Sequence, residues 1–291
     1  MKKTSEHRVK GLNLSIRLVD YCGSAFELLG SKSAAKKALS GGRVRLNGQR
    51  AYASDFIENG DKLTLIGDGM SKAKAYDMGM PIVFEDEHLI IVNKPAGIAV
   101  NGNRYKTVEN ALVGVAKKSN LRDALHRPVA SHRLDVPTKG LVLLAKNKSS
   151  LIKIGRQFQE GQIHKEYHAI VHGKVDEKGR IEMPIGGKSS TTVYERVEVV
   201  PSRVYKNLSL VKLMPITGRT HQLRIHMQAQ NHLLLGDKEY AGAQKTILGK
   251  GLFLCSTQLI FNHPDTFKRT KIEIDIPSKF LKLLERERSR Y

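Results

Sequence analysis

The chain has 291 residues, 40% hydrophobic and 26% charged, with no low-complexity tract, so it folds into one large domain or two rather than staying disordered. Its 49 Lys and Arg against 28 Asp and Glu leave a formal charge of +21, more than solubility needs and of the sign that concentrates polyanions. The sequence excludes a membrane-spanning apolar run, a secretory signal in the basic start and, with only Cys22 and Cys255, a disulfide framework or Cys-rich zinc module.

Residues 1–70 carry +5 and residues 71–291 carry +16, so both parts are basic. Behind a basic segment over 1–12, residues 13–70 read as a small α+β domain. Ser31-Lys32-Ser33 caps a helix over 34–39, built from strong helix formers, and Gly41-Gly42 stops it. Residues 43–46 alternate as a strand and reach Asn47-Gly48, a hairpin-turn pair. Asn59-Gly60-Asp61 marks a second turn before a strand over 62–66. Residues 71–80 lie in a stretch rich in Gly and Met, without periodicity, and read as a linker.

A longer mixed domain follows over 81–291. Strands are expected at 82–84 and 89–92 around the acidic turn Glu85-Asp86-Glu87, then a helix over 107–115 and a strand over 140–145. Leu151, Ile154 and Phe158 stand at helical spacing in an amphipathic helix over 149–160. Strand-like runs come at 167–172, 191–200, 204–214, 252–261 and 272–276. A helix is expected over 219–230, reached through Thr217-Gly218, and a charged helix over 278–288. Strands joined by short turns predominate. The expected fold class is therefore α+β, a mostly antiparallel mixed sheet decorated with helices, preceded by the small N-terminal domain.

Three segments set polar groups beside apolar strands. Ser131-His132-Arg133-Leu134-Asp135 leads through Val136-Pro137-Thr138-Lys139 into the strand at Gly140, which holds a carboxylate at a rigid strand edge. Read alone, Asp135 is more readily a residue that caps a turn before proline. Lys165-Glu166-Tyr167-His168-Ala169 follows a helix, and Tyr167 by itself reads as a core aromatic. Gly218-Arg219-Thr220-His221-Gln222-Leu223-Arg224-Ile225-His226 sets Arg224 about one helical turn from Thr220 and His221. A guanidinium buried there needs a carboxylate or a phosphate. His221 and His226 are five apart, which fits no zinc signature, so no metal is expected. A GxSxG elbow and a P-loop are missing. Ser131, His132 and Asp135 stand too close together for a triad, whose members converge from separate segments.

In this order the segments resemble the RluA-type family of pseudouridine synthases. His132-Arg133-Leu134-Asp135 is similar to its HRLD motif, and Gly140-Leu141-Val142-Leu143-Leu144-Ala145-Lys146 to the strand behind it. Lys165-Glu166-Tyr167-His168-Ala169 is similar to its K-x-Y-x-A segment, and Val92-Asn93-Lys94-Pro95-Ala96-Gly97 to its VNKPAG segment. Pro215-Ile216-Thr217, continuing through Arg224 to Leu235-Gly236-Asp237, is similar to its most recognisable stretch. The similarity runs from about 81 to 277. Residues 31–66, with Gly42-Arg43-Val44-Arg45-Leu46-Asn47-Gly48, resemble the S4 RNA-binding module that often precedes this catalytic domain. The chain departs from the family at Leu254-Cys255-Ser256, where His-Ala is usual, and at Ala99-Val100-Asn101-Gly102, where a segment ending in His-Pro is usual. Both departures bear on the pocket wall or the RNA path.

The resemblance implies an enzyme that breaks the N1–C1′ bond of a uridine in RNA, turns the uracil and rejoins it through C5. No redox change occurs and no group is imported, so no cofactor is expected. Asp135 is the implied catalytic carboxylate, attacking covalently or acting as a base. Arg224 is expected to pair with it, lowering its pKa and fixing its rotamer. Tyr167, with an ordinary phenol pKa near ~10, is expected to pack on the uracil rather than stand as a phenolate base. His132 and Arg133 are expected to contact phosphate or fill the space left by the target base, with Arg219 and His221 also on the RNA. Lys32, Lys36, Lys37, Arg43 and Arg45 would form one basic RNA-binding face, unless they are only a solvated charged surface. A stacked target must be flipped out at a cost of about a few kcal/mol, which the basic surface helps offset. The RNA expected is structured: large-subunit ribosomal RNA first, transfer RNA second, met in the cytoplasm by a monomer that uses no membrane. A catalytically silent RNA-binding or ribosome-assembly factor would carry the same charge, but has no chemical need for Asp135, Tyr167 and Arg224 together. A metal-dependent nuclease needs clustered carboxylates that the sequence lacks.

Overall fold

Alternating strands punctuated by glycine turns build both units into which the chain divides, Met1–Ala73 and Lys74–Tyr291. They are seen in a computed structural model that describes residues 4–26, 29, 32–67, 75–242, 246–247 and 249–291. The first unit runs β1 (Thr4–Arg8), β2 (Ile16–Arg17), α1 (Leu18–Ala25), α2 (Lys32–Ser40), β3 (Val44–Leu46), β4 (Gln49–Arg50), β5 (Phe56–Ile57) and β6 (Lys62–Ile66). Four of its strands lie in the order β1-β6-β3-β4, and β2 pairs with β5. Asn47 and Gly48, at φ 48° and 86°, close the β3–β4 hairpin as their sequence predicts. Ala35, Ala38 and Leu39 of α2 pack with Leu18, Val19 and Cys22 of α1 over Val44, Leu63 and Leu65 of the sheet. The expected cap Ser31 and linker residues 71–74 lie outside the described residues. β1 pairs with β6 from Thr4↔Ile66 to Arg8↔Lys62, so part of the basic segment over 1–12 is folded into this sheet.

The second unit runs β7 (Ile82–Glu85), β8 (Leu89–Lys94), α3 (Val108–Ala111), β9 (Ala124–Ala130), β10 (Lys139–Asn147), α4 (Lys148–Gln159), β11 (His164–His172), β12 (Lys178–Glu182), β13 (Thr191–Ser202), β14 (Lys206–Pro215), α5 (Gln222–Ala229), β15 (Leu254–Asn262), β16 (Arg269–Glu273) and α6 (Ser278–Ser289). Its sheet has the order β12-β13-β14-β11-β15-β10-β8-β7, with β16 added on β15 and β9 on β10. Among the described residues only β10 and β15 run parallel, and their register is short, Lys139↔Cys255 and Gly140↔Ser256. The sheet is thus mostly antiparallel, as expected.

Period-two alternation sorts the apolar side chains onto two faces. Ile90, Val92, Val142, Leu144, Tyr167, Ala169 and Leu254 face one core, which Leu223 and Met227 of α5 complete. Leu89, Ile91, Leu141 and Leu143 form a second cluster under Ile154 of α4. Ile170, Phe253 and Cys255 form a third under Phe280, Leu283 and Leu284 of α6. Cys255 therefore packs away from the first core, while its neighbour Leu254 belongs to it.

Two helices are shorter than the sequence predicts. α3 covers only Val108–Ala111, capped by Thr107, whose side chain accepts the Asn110 N–H. The expected continuation to 115 gives way to turns, and Gly114 sits at φ 81°. α5 begins at Gln222 and not at 219, because His221 adopts a left-handed conformation at φ 56°. The last strand is also displaced, to Arg269–Glu273 from the expected 272–276.

Candidate active site

The loop between β9 and β10 brings Asp135 into a cavity of about 740 Å³. Its walls are that loop, the end of α4 and the turn after it from Phe158 to Gly161, Lys165 and Tyr167 of β11, and the segment from Pro215 to Arg224. The three segments singled out in the sequence thus meet at one place. The Thr138 N–H donates to the Asp135 carbonyl at 3.0 Å, closing the turn that leads into β10. Lys94 pins the same turn from below. It is fully buried, and its Nζ donates to the carbonyls of Pro95, Ile98 and Val136 at 3.0, 3.0 and 3.2 Å. Burial lowers its pKa to about 8, against the support of the Asp135 charge.

The Asp135 side chain is 19% exposed, and its nearest basic side chains stand off. His221 Nε2 lies 3.7 Å from Oδ1 and Arg224 Nη1 lies 3.8 Å from Oδ2. Arg224 keeps its short bonds for other carboxylates. Its Nε donates to Asp237 Oδ2 at 2.6 Å, and Nη2 donates to Asp237 Oδ1 at 2.7 Å and to Glu239 Oε2 at 2.8 Å. The Arg224–Asp135 pair expected from sequence is present at ion-pairing distance, as the outer link of a chain in which Asp237 orients the guanidinium. Burial opposes the charge on Arg224, but Asp237 and Glu239 outweigh it and raise the pKa. The Tyr240 ring covers the guanidinium at 4.8 Å, and its hydroxyl lies 2.9 Å from His221 Nδ1.

Tyr167 is buried in the cavity wall. Burial, with the Asp135 charge adding to it, pushes its pKa up to about 12, so the phenol is neutral near pH 7. His132 has a different place from that expected of a phosphate ligand. Its Nε2 accepts the Leu143 N–H at 3.0 Å, and its ring stacks on Phe158 with centroids 4.8 Å apart. Burial and the Lys165 charge lower its pKa to about 3, so it offers no cation to RNA near neutral pH. Arg133 lines the cavity and is exposed. Arg219 also lines it, with Nε donating to the Ser189 carbonyl at 3.1 Å.

Several residues of the site were not picked out by the sequence. Gln222 ties the third segment together: its Oε1 accepts from Thr217 Oγ1 and from the Arg219 N–H, and its Nε2 donates to the Thr191 carbonyl and Thr192 Oγ1. Lys165 presents an ammonium to the cavity with one long bond, to the Thr217 carbonyl at 3.5 Å. It has no carboxylate partner among the described residues, and burial lowers its pKa. The hint for Lys165 was its place two residues before Tyr167 on one strand, which puts both on one face. Of the basic residues of the first unit, Lys32, Lys36 and Lys37 lie on α2 and Arg45 on β3, with Arg43 just before that strand. Lys32 is paired with Asp20 at 2.5 Å, and Arg45 Nη1 donates to the Gly48 carbonyl.

Comparison with known proteins bears on the chain as a whole. Residues 88–229 match the family of RNA pseudouridylate synthases. The chain is 37% identical over 207 residues to the dual-specificity RNA pseudouridine synthase RluA of Pasteurella multocida, covering 65% of this chain and 90% of that protein. It is 29% identical over 299 residues to the ribosomal large subunit pseudouridine synthase C of Rickettsia prowazekii, covering 92% and 96%. The solved structure of human RNA pseudouridylate synthase domain containing 4 superposes with a TM-score of 0.58 at 26% identity, over 72% of this chain and 93% of that one.

Proposed function

The chain belongs to the RluA-type family of RNA pseudouridine synthases, and on that premise we propose that it isomerises uridines of structured RNA, large-subunit ribosomal RNA first, with Asp135 as the catalytic carboxylate. The observation that carries this reading is the convergence of Asp135, Tyr167 and Arg224 on one cavity. The reaction breaks N1–C1′, turns the uracil and forms C5–C1′, with C5 losing a proton and N1, released from the sugar, gaining one. A carboxylate at the sugar–base junction serves it as nucleophile or base. The 3.7 and 3.8 Å separations leave Asp135 electrostatically supported without tying its oxygens in short bonds. Tyr167, neutral and rigid in its strand, packs on the uracil.

Lys165, Arg219 and Arg133 supply the positive wall for the phosphates of the flipped nucleotide. His132 fills the wall behind them as a neutral ring. Residues 13–70 act as an S4-like RNA-binding domain that recruits the substrate through Lys36, Lys37, Arg43 and their neighbours. Transfer RNA is the second substrate class. The Pasteurella relative's name states a dual specificity, and the Rickettsia relative's name a ribosomal one.

The test is to map pseudouridines in total cellular RNA with and without the protein, and with Asp135→Asn. The amide is isosteric but neither basic nor anionic, so the variant should bind RNA about as well and make no pseudouridine. Near-normal single-turnover activity in Asp135→Asn would sink the assignment.

A further inference from the structure

We propose that the tip of the β15–β16 hairpin is a base-stacking platform, with Phe267 as its aromatic surface, for an unpaired nucleotide of the substrate RNA beside the catalytic cavity. The inference rests on the reading of the chain as an RNA-modifying enzyme, and adds a contact outside the site that performs the chemistry.

The starting observation is a costly residue choice. Phe267 is 71% exposed and sits at φ 57°, a left-handed conformation that bulky side chains rarely adopt. Strain of this kind persists only where the surroundings over-determine it. Here they do. The Phe267 N–H donates to the His263 carbonyl at 2.9 Å, and the His263 N–H donates to the Lys268 carbonyl at 2.9 Å. The buried His263 ring fixes the turn from inside, because its Nδ1 accepts the N–H groups of Asp265 and Thr266 while its Nε2 donates to Asp86 at 2.7 Å. Lys153 of α4 adds a bond to the Pro264 carbonyl at 2.9 Å. The ring is thus held outward on a rigid base, which keeps the entropy cost of stacking low.

The surroundings select the partner. Lys153 Nζ lies 5.2 Å from the centre of the Phe267 ring. Lys153, Lys268 and Arg269 have no carboxylate within ion-pairing distance among the described residues. A groove of about 440 Å³ runs beside the ring between Lys153, Arg156, Gln157 and Asn262. Glu160 lines both this groove and the catalytic cavity, and Lys153 stands about 8 Å along α4 from the cavity residue Phe158. An exposed aromatic flanked by unpaired cations matches a nucleic-acid strand, with bases on the ring and phosphates on the cations. A neutral or basic protein surface would leave those charges unmatched.

The experiment compares Phe267→Gly, Phe267→Leu and Phe267→Trp in the full-length protein. It reads dissociation constants for protein-free large-subunit ribosomal RNA, steady-state constants on the same RNA and thermal midpoints. Glycine removes the ring and also relieves the backbone, so its midpoint should stay level or rise. The dissociation constant and KM should rise about tenfold for glycine and for leucine, while tryptophan holds wild-type affinity. Affinity of Phe267→Gly within twofold of wild type overturns the proposal, as for a tip that docks protein instead. So does leucine binding as tightly as phenylalanine, or a lower midpoint accompanying the lost affinity. A wild-type protein that forms no pseudouridine in any RNA would overturn the enzymatic reading, whereas the affinity comparison would still decide the platform.

Discussion

A buried ammonium is tolerated only where carbonyls replace its water, and Lys94 has three of them, one on the residue that follows Asp135. Arg224 meets the same requirement with the buried Asp237 and the more exposed Glu239, and breaking a buried pair such as that with Asp237 costs about 3–5 kcal/mol. Both side chains spend their charge on holding the loops that carry the site. His132 takes the other solution and stays neutral. Its pKa falls from an ordinary value near ~6.5 to about 3, so between these values the unfolded chain binds a proton that the folded protein does not. The sign follows: the contribution of His132 to stability is present above pH ~6.5 and is lost as pH falls toward 3. Denaturant unfolding at pH 7 and at pH 4.5 should show wild type losing stability on acidification. His132→Gln, whose amide oxygen can still accept the Leu143 N–H, should lose less over the same interval. Parallel losses in the two proteins would mean that this ring is not among the groups responsible.

At the scale of elements, the site depends on how closely two strands approach. Gly140, the second residue of β10, sits at φ 116°, and a Cβ there would lie 2.1 Å from the Ser256 carbonyl oxygen of β15. The short parallel register of β10 and β15 exists because this residue has no side chain. Gly236 does the same before Asp237, where a Cβ would lie 2.1 Å from the Gly251 carbonyl oxygen. Gly140→Ala is therefore expected to destabilise the second unit by more than about 2 kcal/mol, read as a lower thermal midpoint, and to lower activity with it. An unchanged midpoint would show that the strands can part without cost. Such pairings also mark what could be read from the sequence. Asn47-Gly48 announces its hairpin, and Leu151, Ile154 and Phe158 announce α4, because both signals are local. Asp135, Tyr167 and Arg224 were legible because their segments resemble a known pattern. Asp237 as the nearest partner of Arg224, and the left-handed His221 that delays α5, were not legible, since neither follows from spacing along the chain. The strand β1 was hidden for a related reason, as its partner β6 lies more than fifty residues away.

For the whole molecule, the relevant quantity is the excess of +21 and how much of it is free to meet phosphate. In the first unit, Lys36, Lys37 and Arg43 carry no ion pair among the described residues, whereas Lys32 is held by Asp20. Each phosphate contact releases condensed counterions, so each lost contact should reduce the salt slope of RNA binding by ~0.7–0.9. Phosphate contacts position a protein without reading sequence, so the loss should be similar for unrelated RNAs. Replacing Lys32, Lys36, Lys37, Arg43 and Arg45 together by glutamine keeps the chain at full length and changes no residue of the cavity around Asp135. The variant is expected to raise KM for structured RNA and to flatten its salt dependence by about two to three contacts rather than five, because Lys32 and Arg45 already have partners. Its rate at saturating RNA should stay close to wild type, since Asp135, Tyr167 and Arg224 all belong to the other unit. A full loss of five contacts would mean that the Lys32–Asp20 pair opens on binding. An unchanged salt slope with a collapsed saturating rate would mean that the first unit supports the catalytic site instead of recruiting RNA.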